Sequence, residues 1–199
     1  MSSLLDETNN TSLIISFAGS GDGVGMLNLF EFKNFLKQNY SNYDRHFYID
    51  YDHVWYHKGI KDISTNIDET VKYLQEKINK YSQVIFIGSS AGGYAAILFG
   101  SLLKVNIVIT FNAQTLLPAY RNGIELQKEY CDLKFVINNE TQYFIHGDIS
   151  IKDENDLHHI KHTNNLININ NVHITYHDHL DLKEFRNSGL LLQIFKYHI

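Results

Sequence analysis

Short, nearly continuous apolar runs alternate along this chain with longer segments in which apolar residues recur every three or four positions. Residues 13–17 (LIISF), 47–49 within HFYID, 84–87 (VIFI), 105–111 (VNIVITF), 143–146 (YFIH) and 172–176 (VHITY) are rich in β-branched and aromatic side chains. That pattern predicts strands covered on both faces in a parallel sheet. Between them, Ile67, Val71, Leu74 and Ile78 fall on a single helical stripe. Ser64 or Thr65 is its expected N-cap, with Asp68 and Glu69 near the positive end. Residues 29–36 read as another helix, residues 91–103 (AGGYAAILFGSLL) as an interior helix apolar on nearly every face, and residues 180–195 as one closing helix. The alternation predicts an α/β fold, a three-layer α/β/α sandwich around a mainly parallel sheet of about six strands. Residues 115–141, which contain the only proline, Pro118, interrupt the rhythm and read as an insertion over the sheet edge.

Composition narrows the classes. A chain of 199 residues suits one domain, residues 1–199, with a sizeable core. A net charge of −5 without a basic block argues against nucleic acid as the main partner. The single cysteine, Cys131, rules out an internal disulfide framework, fits a reducing compartment and is expected simply to be buried. No apolar run approaches the ~20 residues of a membrane helix. The first residues, MSSLLDETNNTSLIISF, lack a basic region followed by a long apolar core. The expectation is a cytoplasmic protein with no membrane span.

Gly88-Ser89-Ser90-Ala91-Gly92 matches G-x-S-x-G and lies between a buried strand and an apolar helix. A nucleophile on so sharp a turn has strained backbone, and its neighbours two residues away on either side must be small. Here they are Gly88 and Gly92. The Ala91 N–H then points where a carbonyl oxygen would become negative, and the helix N-terminus adds partial positive charge. A phosphate-binding loop would need G-x-x-x-x-G-K-[ST], and a dinucleotide fingerprint G-x-G-x-x-G; neither is present. After the first strand, Phe17-Ala18-Gly19-Ser20-Gly21-Asp22-Gly23 offers a second oxyanion donor from Ala18 or Gly19.

Serine needs a base, and the base an orienting acid. In the chain order Ser, acid, His, the segment GDISIKD offers Asp148 and Asp153, and HDHLD offers His177 and His179. Spacing leaves the acid open between Asp148 and Asp153. It favours His179, which would lie in the loop above the sheet edge. Trp55 and His57 follow the second strand together with Asp50 and Tyr56, and Asn112 and Gln114 follow the fourth. All would face the carboxyl ends of the strands, where such sheets bind ligands. Their plainer reading is packing or solvated loop. His158, His159 and His162 share a helix-like spacing but lack the carboxylate of H-E-x-x-H, so they read as a solvated face rather than metal ligands. His177-Asp178-His179 as a metal site is a comparably weak reading. No metal or cofactor is required.

The segments FAGSGDG, YIDYDHVWYHKGI, GSSAGGYAAILFG followed by FNAQT, and GDISIKD with HLDLKEFRNSGLL resemble the α/β-hydrolase superfamily. More narrowly, they resemble small bacterial hydrolase-like proteins associated with polysaccharide biosynthesis and glycosylation. The resemblance implies Ser90 as nucleophile, His179 as base and Asp153 as acid, with Asp148 as the alternative. It implies a serine esterase or acyltransferase acting on a small or polar ester such as an acylated sugar. It also implies that two N-terminal strands of a full hydrolase sheet are lacking and that no large lid covers the site. A non-catalytic binding protein on the same fold is the competing reading.

Overall fold

A computed structural model describes residues 2–7, 10–19 and 30–199. Ser20 to Gly23 of the glycine-rich loop, and Leu29 at the start of the first expected helix, lie outside the described residues. The strands are β1 (Ser3–Asp6), β2 (Ser12–Phe17), β3 (Asp44–Tyr48), β4 (Gln83–Ser89), β5 (Ile107–Phe111), β6 (Tyr120–Arg121), β7 (Ile124–Glu125), β8 (Gln142–Asp148) and β9 (Val172–His177). The helices are α1 (Lys33–Asn39), α2 (Ile67–Ile78), α3 (Ala91–Leu103), α4 (Lys161–Asn164), α5 (Leu182–Ser188) and α6 (Leu190–His198). Seven strands form one sheet in the order β1-β3-β2-β4-β5-β8-β9, parallel except for β1.

The apolar alternation within each strand feeds two cores. Leu13, Ile15, Phe17 and Phe86 face α2 and α3, while Ile14, Ile85, Ile87 and Ile109 face α1 and α6. Both faces are therefore covered, which is why the strand sequences are continuously apolar. Helix α3 follows β4 without a linking residue beyond Ser90, and all of its residues except Leu102 are buried. Its apolar character on every side is the signature of that interior position.

Four features differ from the sequence expectation, the first being that the helix expected over residues 29–36 is α1 at Lys33–Asn39. Strand β1, short and half polar, pairs antiparallel with β3, so a strand does precede the LIISF run. Arg45 on β3 holds it by bonds from Nε and Nη2 to Asp6. The N-cap of α2 is Asn66, not Ser64 or Thr65. Its side chain accepts from Glu69 N, while the Glu69 carboxylate accepts from Thr65 N and Oγ1, a reciprocal box shifted by one residue. The expected closing helix is two helices, because Gly189 adopts φ 82° and ends α5 in a left-handed cap. Residues 115–141 form the β6–β7 hairpin and two short 3-10 turns, Lys128–Tyr130 and Leu133–Phe135. Among the described residues no helix is long and apolar enough to cross a membrane.

Candidate active site

Ser90 occupies the sharp turn between β4 and α3 at φ 56°, ψ −123°, a conformation costly for any residue with a side chain. Its backbone is pinned on both sides. Ser90 N–H donates to Phe111 O at 3.0 Å, and Ser90 O accepts from Tyr94 N at 3.1 Å and Gln114 N at 3.4 Å. The small-neighbour requirement is explicit. A Cβ on Gly88 would overlap the carbonyl of Gly92, and one on Gly92 would overlap the carbonyl of Phe17. Ser90 thus lines a cavity of about 740 Å³ at the carboxyl edge of the sheet.

The side chain of Ser90 has two partners. Gln114 Nε2 donates to Oγ at 3.0 Å, and His158 Nε2 lies 2.8 Å from Oγ. The Gln114 amide is oriented by Trp55, whose indole N–H, a donor only, meets Gln114 Oε1. The amide NH₂ is thereby turned toward Ser90, and the serine hydroxyl is left to donate to His158. The Nδ1 of His158 then faces Asp156 Oδ1 at 3.4 Å, and the same carboxylate accepts the His158 backbone N–H at 2.7 Å.

Trp55 itself is buried at φ 54°, a rare conformation for so bulky a residue. The buried Asp50 carboxylate stabilises this loop, accepting from Asp52 N, Val54 N and Tyr56 N. Burial nevertheless leaves the Asp50 pKa above the usual carboxylate value, the three hydrogen bonds pulling the other way.

His179 lines the same cavity, with Nδ1 facing Asp148 Oδ2 at 3.8 Å. Asp148 is buried and well held. Its carboxylate accepts from Ser150 N and Leu180 N, and its own N–H donates to Asn112 Oδ1. Burial raises its pKa, but the bonds from Ser150 and Leu180 and the nearby His179 outweigh that and leave it low. Asn112 and Gln114 both border the cavity, as expected for residues after β5.

Other candidates stand elsewhere. The Asp153 carboxylate accepts from Asn155 N and Nδ2 in an exposed turn, and Asp153 does not line the cavity. His177 Nε2 bonds His146 Nδ1 at 2.9 Å, and its ring packs edge-on against Phe185 outside the cavity. Ala18 N–H is consumed by Tyr48 O at 2.9 Å, so it is unavailable to an oxyanion. Gly19 borders the cavity beside Ser90, and neither its amide nor that of Ala91 donates to any described group.

His57 is buried and does not line the cavity. Its Nδ1 accepts from Gln127 N at 3.0 Å, which leaves Nε2 to donate to Tyr94 Oη at 2.9 Å, and Tyr94 donates to Tyr130 O. This relay fastens the 115–141 insertion to α3. Burial pushes the His57 pKa down to about 4, so the relay is a neutral one. Cys131 is half-buried, near the Pro118 and Gln127 carbonyls. Among the described residues no group of three or more metal-binding side chains is gathered.

Sequence reasoning missed His158, Asp156 and Arg121, which stacks on Trp55 and lines the cavity. The available signal for His158 was its place after β8, in a polar segment leaving the same sheet edge as the elbow.

No protein-family model and no curated protein matches the sequence. Solved structures match it in fold. A lipase-esterase related protein from Clostridium acetobutylicum superposes with a TM-score of 0.64 at 14% identity, covering 99% of this chain and 98% of that one. The capsule O-acetyltransferase of Neisseria meningitidis serogroup A gives 0.62 at 17% identity, over 96% and 89% of the two chains. An α/β-hydrolase enzyme from the metagenome of Mar Chica lagoon sediments in Morocco gives 0.58 at 14%, over 98% and 94%. The chain has the α/β-hydrolase fold.

Proposed function

We propose that the chain is an acyl-transfer enzyme in which Ser90 is the nucleophile, attacking an ester-type carbonyl. The observation that carries this reading is the Ser90 hydroxyl in a strained elbow, 2.8 Å from an imidazole nitrogen and 3.0 Å from an oriented amide donor. His158 takes the Ser90 proton as Oγ bonds the acyl carbon, then returns it to the leaving oxygen as the tetrahedral intermediate collapses. Asp156 holds the imidazole tautomer. Ala91 N–H and Gly19 N–H receive the oxyanion. The acyl-enzyme then passes to water, making an esterase, or to a hydroxyl, making an acyltransferase. The hydrogen-bonding and charged side chains on the cavity wall, Asn112, Gln114, Arg121 and Lys183 among them, and the likeness to a capsule O-acetyltransferase support a polar acceptor or substrate such as an acylated sugar.

A second reading assigns the base to His179 with Asp148 as its acid. It is supported by the Asp148 carboxylate facing His179 Nδ1 and by their chain order after the last two parallel strands. Labelling with a fluorophosphonate, read by intact mass, decides between these assignments. Stoichiometric labelling lost in Ser90→Ala is expected. The rate should fall by about 10²–10⁴ in His158→Ala and far less in His179→Ala; the reverse order selects the second reading. Absence of labelling in folded wild-type protein would instead favour a non-catalytic binding protein.

A further inference from the structure

We propose that the substrate of this cavity carries an oxyanionic group, a carboxylate or a phosphate, and that Arg121 recognises it. This rests on the acyl-transfer reading and names what the substrate of that site bears.

Arg121 sits on the β6–β7 hairpin, opposite Ile124, and its guanidinium lies over the Trp55 ring, 5.1 Å from the centroid. A cation–π contact of this kind holds a guanidinium by its face and does not use its N–H donors. No carboxylate among the described residues pairs with it, and its Nε is buried without an acceptor. Three acids line the cavity, Glu31, Asp148 and Asp181, and none of them pairs with Arg121; Glu31 lies beside Gly19, where burial raises its pKa to about 7. Asp148 accepts from Ser150 N and Leu180 N, and Asp181 caps α5 by accepting from Lys183 N and Glu184 N. Lys183 adds a second cation to the cavity wall. An orphaned, pre-oriented guanidinium in a cavity that holds the nucleophile is the arrangement a planar oxyanion satisfies by two parallel bonds. It is also wired to the chemistry, since Trp55 beneath it orients Gln114, which touches Ser90. An anionic group seated on Arg121 would therefore place an ester at a set distance from Ser90.

Trp55 is the only tryptophan, so its emission reports directly on Arg121. The test titrates the whole chain with glucuronate, glucose 6-phosphate and glucose, followed by tryptophan fluorescence and calorimetry. Glucuronate or glucose 6-phosphate should bind saturably, and glucose at least about tenfold more weakly; which anion saturates first identifies carboxylate or phosphate. Arg121→Met should weaken anion binding about tenfold or more. Arg121→Lys, which keeps the charge but loses the fork, should fall between. Circular dichroism confirms that both variants are folded. The inference is overturned if neither anion saturates, if glucose binds equally well, or if both folded variants bind the anion like wild type. Fluorophosphonate labelling of Ser90 on the same preparation reports separately on the acyl-transfer reading.

Discussion

Replacing Gln114 by Leu cuts two bonds at once, and the structure says what each should cost. The indole N–H of the buried Trp55 loses its acceptor, and an orphaned buried donor costs about 1–3 kcal/mol. For a chain of this size that corresponds to a fall in Tm of about 2–12 °C. On the other side, Ser90 Oγ loses its donor. What is lost there is the fixed position of Oγ toward His158, and a misplaced nucleophile lowers reactivity by up to about 10². The two effects separate in a double-mutant cycle with Trp55→Phe, which removes the orphan N–H while retaining an aromatic face for Arg121. Once Gln114 is gone, removing the indole N–H relieves a penalty. The double variant should therefore be more stable than the sum of the single losses by about 1–2 kcal/mol. Urea unfolding gives the stabilities and fluorophosphonate labelling gives the reactivity of Ser90. Additivity within about 0.5 kcal/mol, or wild-type labelling in Gln114→Leu, would refute the claim that Trp55 orients this amide toward the nucleophile.

Ser90→Gly should release backbone strain of about 1–3 kcal/mol and raise the Tm above that of Ser90→Ala, with labelling lost in both; equal melting points would remove the strain argument. Gly92→Ala should yield little folded protein, because its Cβ overlaps the Phe17 carbonyl, and normal soluble yield with an unchanged Tm would contradict the geometry. Burial lowers the pKa of His57 and His162 to about 4 and that of His146 to about 3. The unfolded chain, with histidine near 6.5, binds protons first, so stability should drain as the pH falls from about 6.5 toward 4. Each of these histidines contributes up to a few kcal/mol to that loss, and a urea midpoint flat between pH 7 and 4.5 would show that they are not buried neutral.

The strand pattern and the elbow were legible because both are local. A covered strand must be apolar throughout, and a strained serine must have small residues two positions away on either side. The cap of α2 was not decided by composition, since Ser64, Thr65 and Asn66 are all competent; the choice fell to the residue with extended backbone, Asn66 at φ −158°. Gly189 carried a readable helix-end signal inside RNSGLL that the apolar periodicity on both sides concealed. His57 looked like a pocket residue from its position after β3. Its actual role depends on Tyr94, whose hydroxyl is buried within α3 and needs a partner. The contact between Ser90 and His158 spans 68 residues and depends on how the segment after β8 turns back, which no periodicity encodes.

Ser90, itself half-buried at the cavity wall, is held between β4 and α3, two largely buried elements, whereas the His158 side chain is 39% exposed in a turn outside any regular element. Amide protons around Ser90 should exchange with solvent only when the whole chain unfolds, and those around His158 by small local openings. The two halves of the reactive pair then live on different clocks. On the acyl-transfer reading the serine is the fixed partner of the pair, and its contact with the imidazole follows the local openings expected around His158.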